Sequence, residues 1–300
     1  MKVAITGSSG DIGSELTPFL KTGGHEVVRL VRSRSMLGES SAYWNPAEGE
    51  LSPDLFQGVD AVINLSGENV SGGRWTAAKK ERLRDSRIRT TELLAETLAG
   101  LNDPPKVLLN SSAVGFYGDR GDESVDESCQ RGSGLLPDVC AEWEAATRPA
   151  QEKGIRTAFL RFGVVLSPAG GALSKMLLPF KMCLGGVIGS GRQYMSWISI
   201  DDAVGAIHHL LMNENIEGPV NIVSPNPVTN RDYTKTLGKV LSRPTILPMP
   251  AFAARLAFGE KADELLLSST KVEPARLKET DFDFRFPDLE DALRHLLGRA

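Results

Sequence analysis

The chain has 300 residues, 41% hydrophobic and 24% charged, enough to bury a core without disulfide staples in one large domain or two intimate ones. Its 34 Lys and Arg against 38 Asp and Glu leave a net charge of −4, which argues against a nucleic-acid or anionic-membrane surface as partner. No apolar run is long enough to cross a bilayer, and Met1-Lys2 leads straight into a strand, leaving no room for a signal peptide. Cys129, Cys140 and Cys183 form no CxxC, which fits free thiols in a reducing, cytoplasmic compartment. The four histidines, His25, His208, His209 and His295, lack metal-ligand spacing, so no metal is expected.

The first stretch organises the rest. Val3 to Ile5 reads as a short buried strand, Gly7, Gly10 and Gly13 follow at a spacing of three, and Ser14 to Leu20 reads as a helix. A strand, a glycine turn and a helix make a phosphate site. Gly7 permits the sharp exit from the strand, Gly10 lets a diphosphate approach bare backbone, and Gly13 lets the helix pack close. The helix N-terminus, with Ser9, Asp11 and Ile12 around it, offers unpaired N–H groups and the positive end of the helix dipole.

Glu26 to Val31 is the second strand, followed by Arg32-Ser-Arg34, with no acid before Glu39. An acid at this strand end would accept hydrogen bonds from the ribose 2′-OH of NAD. Two guanidinium forks beside a serine suit the 2′-phosphate of NADP instead, unless the arginines simply point into water. Ala42 to Trp44 reads as a short edge strand. Val59 to Leu65 is a further buried strand, ending in Ser66-Gly67-Glu68. Leu65, Ser66 and Gly67 would let a cofactor lie against backbone, and Glu68 either holds substrate or is a solvated loop acid. Trp75 to Leu98 reads as a long helix whose basic first half is a solvated face.

Lys106 to Asn110 is the next strand, running into Ser111-Ser112 and Tyr117-Gly118. Hydroxyls at the carboxyl end of a parallel strand sit beside the reacting end of a dinucleotide. Ser112 and Tyr117 are therefore the candidate proton-moving pair, although Tyr117 reads equally well as an aromatic packed under the loop. Leu136 to Lys153 reads as one helix. Ile155 to Leu166 carries a strand to a second glycine-bearing edge at Arg161-Phe162-Gly163. After Ser167 the pattern changes to an apolar helix over Ala172 to Cys183, a glycine-rich loop over Gly185 to Gly191, a helix over Ala203 to Met212 and a strand over Val220 to Val223. Short helices and prolines fill the remainder.

Strand-TGxxGxxG-helix, Asn64-Leu-Ser-Gly67, Ser111-Ser112 with Tyr117-Gly118, Arg161-Phe-Gly163 and Trp197-Ile-Ser-Ile-Asp-Asp202 stand in the order of a known group. Together they resemble the extended short-chain dehydrogenase/reductases, the NAD-dependent epimerase/dehydratase superfamily, over the whole chain. Gly67-Glu-Asn69, Arg74-Trp-Thr76, Trp143-Glu144, Gly189-Ser-Gly-Arg-Gln193 and Gly259-Glu260 narrow the resemblance to epimerase family proteins of the SDR39U1/YfcH type. These end in a segment of unassigned function, here from about residue 245.

The resemblance implies an α/β fold: a Rossmann-like doubly wound parallel sheet with a smaller, mostly helical C-terminal substrate lobe. The division would be 1–166 with 196–223, against 167–195 with 224–300. It implies NAD(P) on the glycine turn, which Arg32 and Arg34 narrow to NADP (NADPH) rather than NAD, and a substrate under the C-terminal lobe. The candidate contacts are Glu68, Arg192 and Trp197 for a small-molecule substrate, and Ser111, Arg161, Phe162 and Gly163 beside the cofactor. The resemblance also implies a Ser/Thr–Tyr–Lys set with a YxxxK, in which the lysine lowers the tyrosine pKa. The sequence departs from that set. Residues 47, 121, 198 and 237, four beyond each tyrosine, are Ala, Gly, Ile and Leu. Leu136 and Cys140 stand where the tyrosine and lysine belong, and Ala113 stands at the hydroxyl position in register with Tyr117. The expectation is an NADP-dependent oxidoreductase or epimerase with an altered acid/base set, or else a non-catalytic NADP(H)-binding sensor.

Overall fold

The computed structural model describes residues 1–299. Seven parallel strands form the central sheet: β1 (Lys2–Thr6), β2 (Glu26–Val31), β3 (Ser41–Tyr43), β4 (Ala61–Asn64), β5 (Val107–Ala113), β6 (Arg156–Phe162) and β7 (Gly218–Ile222). Their order across the sheet is β7-β6-β5-β4-β1-β2-β3. The order reverses between β1 and β4, and a crevice opens beyond the carboxyl ends of the strands at that point.

Strand alternation assigns the two faces. Val3 and Ile5 pack with Leu16 and Leu20 of α1 (Asp11–Thr22) and with Ile207 and Leu210 of a helix over Ile200–Met212. Ala4 and Val62 face the other way, onto Leu94, Ala95 and Leu98 of α2 (Ala77–Ala99). Each fully buried Leu or Ile here contributes roughly 1.5–3 kcal/mol, so covering both faces is what holds a parallel sheet together.

Two boundaries differ from the sequence reading for physical reasons. The single helix expected over 136–153 is two, α3 (Leu135–Ala145) and α4 (Arg148–Glu152). Pro149 lacks the N–H to continue the ladder, and Thr147 Oγ1 donates to Glu144 O at 2.7 Å, closing α3. The long strand expected to Leu166 breaks at Gly163. Val164–Leu166 leaves the main sheet and pairs in parallel with Trp197–Ser199.

The second lobe packs α5 (Gly171–Lys181), α7 (Asn230–Leu241) and the last helix, Leu289–Leu296, around Phe180, Trp197, Tyr233 and Leu237, with α6 (Ile200–Met212) leading back to the sheet. The C-terminal segment then returns to the loop that follows β5. Lys271–Val272 pairs with Ser124–Val125, and Ser269 N donates to Asp119 at 3.1 Å. Beside it, Glu127 accepts from three backbone N–H groups, Asn221, Ala275 and Arg276, at 2.9–3.3 Å.

Between α1 and α6, the Nε2 atoms of His25 and His208 lie 3.3 Å apart. Burial, the N-terminal ammonium and His208 hold the His25 pKa below the ordinary range, and burial lowers His208. With the folded values depressed, the unfolded chain binds more protons below about pH 6.5, so stability falls as pH falls through that value. We expect the thermal midpoint to drop on acidification from pH 7 to 5.5. His208→Gln should flatten that dependence, and an unchanged slope would remove the pair from the explanation.

Candidate functional site

The crevice floor is the turn after β1. Gly7 has φ of +65°, in the left-handed region, and a Cβ there would lie 2.5 Å from Leu65 O. Gly10 N donates to Gly7 O at 3.0 Å. A Cβ on Gly13 would strike Gly7 O, and would lie 2.6 Å from Ser8 Cα. Gly10 is the N-cap of α1 and has no side chain to close the helix, so the first turn presents its N–H groups to the crevice. Ile12 packs on the core beneath. The Asp11 side chain is turned aside against Gly170, just before α5, where a Cβ could not fit.

A cleft of about 440 Å³ runs from this turn, lined by Gly7, Ser8, Ser9 and Gly10 at one end and by Arg32, Ser33 and Met36 at the other. Leu65, Ser66 and Gly67 form one side. Among the described residues, its lining holds a guanidinium and no carboxylate. Arg34 is not part of it. That guanidinium lies over the Tyr43 ring at 4.1 Å and 3.9 Å from Glu50, because a one-turn 3₁₀ helix, Arg34–Met36, swings it off the strand end. Of the two arginines expected to meet a 2′-phosphate, the structure puts only Arg32 in the cleft.

The edge after β4 is held by α2. Thr76 caps α2, its Oγ1 accepting from Lys79 N at 3.2 Å. Lys79 Nζ reaches Glu68 Oε1 at 2.5 Å and Asn69 O at 3.1 Å, and Arg87 Nη2 donates to Glu68 O at 3.0 Å. Gly67 lies against the Arg87 guanidinium. The Lys79 hydrogen bond pulls the Glu68 pKa below the usual carboxylate range, and burial lowers that of Arg87. The reading of the basic half of α2 as a solvated face holds for Arg82 and Arg84, which are exposed, and is corrected for Lys79 and Arg87. Lys79 is only 8% exposed, and it and Arg87 fasten the cofactor-side loop. Two cations three and eleven residues into a helix carry no sequence signal of direction.

The β5 and β6 edges converge on a buried polar network. Arg161 is 4% exposed and grips Glu144 of α3 with two parallel bonds, Nε–Oε1 at 2.8 Å and Nη2–Oε2 at 2.9 Å. Its third nitrogen donates to Tyr117 Oη at 2.9 Å, and Tyr117 donates to Asn221 Oδ1 of β7 at 2.8 Å. Ser112 Oγ donates to Glu144 Oε1 at 2.7 Å, and the Arg161 guanidinium lies 3.5 Å above the Phe116 ring. Tyr117 is fully buried, and burial pushes its pKa up to about 12. Of the two readings of Tyr117, its burial matches the packed aromatic, and both hydroxyls of the candidate pair Ser112 and Tyr117 are hydrogen-bonded within this network. Arg161 also turns inward, and Phe162 is buried in the core. Gly163 serves strand crossing, since a Cβ there would lie 2.6 Å from Ser196 O. Ser111 is likewise buried.

Leu136 and Cys140 stand against Gly115 at the end of β5; a Gly115 Cβ would be 3.4 Å from Leu136 Cβ and 3.8 Å from Cys140 Sγ. The contact is apolar, and burial pushes the Cys140 pKa up to about 12. Of the candidate substrate contacts, Arg192 is exposed on the loop after α5. Trp197 is a correction: it is fully buried in the second lobe, its indole N–H donating to Asn226 O at 3.0 Å. Among the described residues no cluster of His, Cys, Asp and Glu could hold a metal ion, and no helix is long and apolar enough to cross a membrane.

Residues 3–223 match the model of the NAD dependent epimerase/dehydratase family, and residues 249–296 match a domain of unknown function (DUF1731). The chain is 46% identical over 297 residues to the epimerase family protein MT2273 of Mycobacterium tuberculosis, covering 99% of this chain and 98% of that one. It is 34% identical over 301 residues to the epimerase family protein SDR39U1 of Homo sapiens, covering 99% and 100%. The crystal structure of human SDR39U1 (isoform 2) with NADPH superposes with a TM-score of 0.91 over 100% of both chains, at 34% identity. UDP-glucose 4-epimerase of Thermotoga maritima, with UDP-glucose, shares the fold at a TM-score of 0.79 and 18% identity, over 99% and 98% of the two chains. On the glycine turn, the strand order and these matches together, the chain belongs to the NAD dependent epimerase/dehydratase family.

Proposed function

We propose that the crevice binds NADP(H) and that the chain is an oxidoreductase or epimerase of the extended short-chain dehydrogenase/reductase type, working without a YxxxK set on a small-molecule substrate. The observation that carries this reading is the 440 Å³ cleft, with bare glycine backbone at one end and Arg32 beside Ser33 at the other. NADPH in the crystals of the 34% identical human relative supports it. The cofactor supplies hydride exchange at its nicotinamide. The chain supplies the rest. The first turn of α1 holds the diphosphate, Arg32 and Ser33 hold the 2′-phosphate, and Leu136 beside Gly115 excludes water from the reacting end. Ser112, Tyr117, Glu144 and Arg161 act as positioning residues that fix the β5 and β6 edges. Glu68, ion-paired with Lys79 and Arg82, holds the loop after β4 in place beside Gly67.

NADPH should raise the thermal midpoint more than NADH does at equal concentration. Arg32→Ala should remove that preference through a loss of about tenfold or more in NADPH affinity, the worth of one charge-assisted hydrogen bond. Equal protection of the unsubstituted protein by the two coenzymes would sink the 2′-phosphate assignment. A second reading, an NADP(H) sensor without turnover, draws on the apolar contact at Leu136 and Cys140. NADPH consumption when the purified protein meets a metabolite extract decides between them.

A further inference from the structure

The loop that follows β4 carries a second cationic feature, apart from the glycine turn. Lys175 of α5 donates from Nζ to Ser71 Oγ. Lys261, from the C-terminal segment, donates to Ser71 O at 3.1 Å and Gly73 O at 2.9 Å. Lys79 reaches the same loop at Asn69 O, and its ammonium is 4.0 Å from where a Gly72 Cβ would sit. Three ammonium groups from chain positions 79, 175 and 261 thus converge on one five-residue turn, 69–73. The acids nearby face other groups, Glu264 among them, which lies against Gly134. Glu68 is paired with Lys79 and Arg82, Glu260 with Lys80, and Asp263 with Arg255. Among the described residues neither Lys175 nor Lys261 has a carboxylate partner. Their mutual repulsion is felt: burial first, then Lys175 and Lys79, lowers the Lys261 pKa.

The position matters as much as the charge. Gly170, just ahead of α5, lies against Asp11 of the glycine turn, and Lys175 stands four residues beyond the first helical residue, Gly171. At 1.5 Å per residue that is about 6 Å along the helix. Lys175 therefore stands about one helical turn along α5 from the residue that meets Asp11 of α1. The carbonyl and hydroxyl oxygens of the turn hold Lys175 and Lys261 but bring no formal charge, and two uncompensated ammonium groups match a doubly charged anion. A phosphate monoester, with its second pKa near about 6, carries that charge at neutral pH. It offers three oxygens to the free Nζ hydrogens, whereas a single carboxylate would leave one lysine unmatched.

We propose that Lys175 and Lys261, with Ser71 between them, form a binding site for the phosphate monoester of a substrate, so that the C-terminal segment's role includes delivering one of its two cations. This deepens the oxidoreductase reading and rests on it for the word substrate; the anion site itself does not.

The test uses the full chain. Calorimetry first establishes the NADPH affinity of each variant. The NADPH-saturated protein is then titrated with inorganic phosphate, against acetate and chloride at matched ionic strength. Saturable binding of phosphate alone is expected. Lys175→Gln and Lys261→Gln should each weaken it about tenfold or more, Lys261→Arg should retain most of it, and all should keep NADPH affinity within about twofold. Phosphate indistinguishable from chloride, or glutamine variants that bind phosphate as the parent does, would overturn the proposal. So would loss of NADPH affinity in step with phosphate affinity, which would give the lysines to the dinucleotide. Should the unsubstituted protein fail to bind NADPH, the cofactor reading falls. The phosphate titration, run without NADPH, still decides the anion site.

Discussion

Gly13→Ala should abolish measurable NADPH binding in a protein that still folds. Gly13 is the third residue of α1, where alanine is the better helix former by roughly 1 kcal/mol, so helix propensity alone predicts a gain. The obstruction is entirely main chain. The added methyl would meet Gly7 O, Ser8 Cα at 2.6 Å and Ser8 C at 2.9 Å, none of which can rotate away as a side chain would. The turn must lift from the helix, at a cost of about 1–3 kcal/mol in packing strain. Its N–H groups then no longer aim at the place the diphosphate occupies. Losing two hydrogen bonds to a charged group, at about 1.5–3 kcal/mol each, is a fall of about 100-fold or more in affinity. Gly38→Ala is the matched control, because a Cβ there has open space around it. Calorimetry with NADPH on both variants reads the difference. A Gly13→Ala protein that binds as the parent does would show that the turn is not the anchor.

That anchor was legible in the sequence because everything it needs is local. Gly7, Gly10 and Gly13 act on one another and on the strand and helix that flank them, so spacing carries the geometry. The parallel character of the sheet is nearly as legible, since buried runs alternate with helices over much of the chain, whereas the order of its strands is not. The failures share a cause. Trp197 resembled a rim aromatic and is a core residue, and the periodicity of its neighbourhood could not say which lobe would close over it. Arg34 followed Arg32 by two residues, and a single 3₁₀ turn was enough to send it to Tyr43 and Glu50. Lys79 and Arg87 were indistinguishable from their solvated neighbours on α2, because their partners, the Glu68 side chain and the Glu68 carbonyl, come from the loop before it. The network under the crevice was hidden most completely. Tyr117 and Asn221 are 104 residues apart, and a strand pattern reports which face a side chain takes, not what it meets there.

Glu144→Gln is the substitution expected to do the most damage to the fold. The change is nearly isosteric and leaves Arg161 charged, buried and without its carboxylate. Breaking a buried pair from one side costs about 3–5 kcal/mol, which for a chain of this size corresponds to a fall of about 10 °C in the thermal midpoint. The penalty is concentrated because Glu144 serves two partners, Ser112 Oγ and the Arg161 fork, while Arg161 in turn orients Tyr117. Tyr117→Phe removes one hydroxyl from the same network. It should cost less, about 1–3 kcal/mol for the unsatisfied Asn221 and Arg161 groups. If NADPH-dependent turnover is found, Tyr117→Phe should leave its pH profile unmoved between pH 6 and 9, because a phenol held near about 12 does not titrate there. A profile that loses a limb in Tyr117→Phe, with stability intact, would return the tyrosine to the chemistry and make the network a proton path. A Glu144→Gln protein as stable as its parent would show that Arg161 finds its counter-charge elsewhere, and the β5 and β6 edges would then owe their position to packing alone.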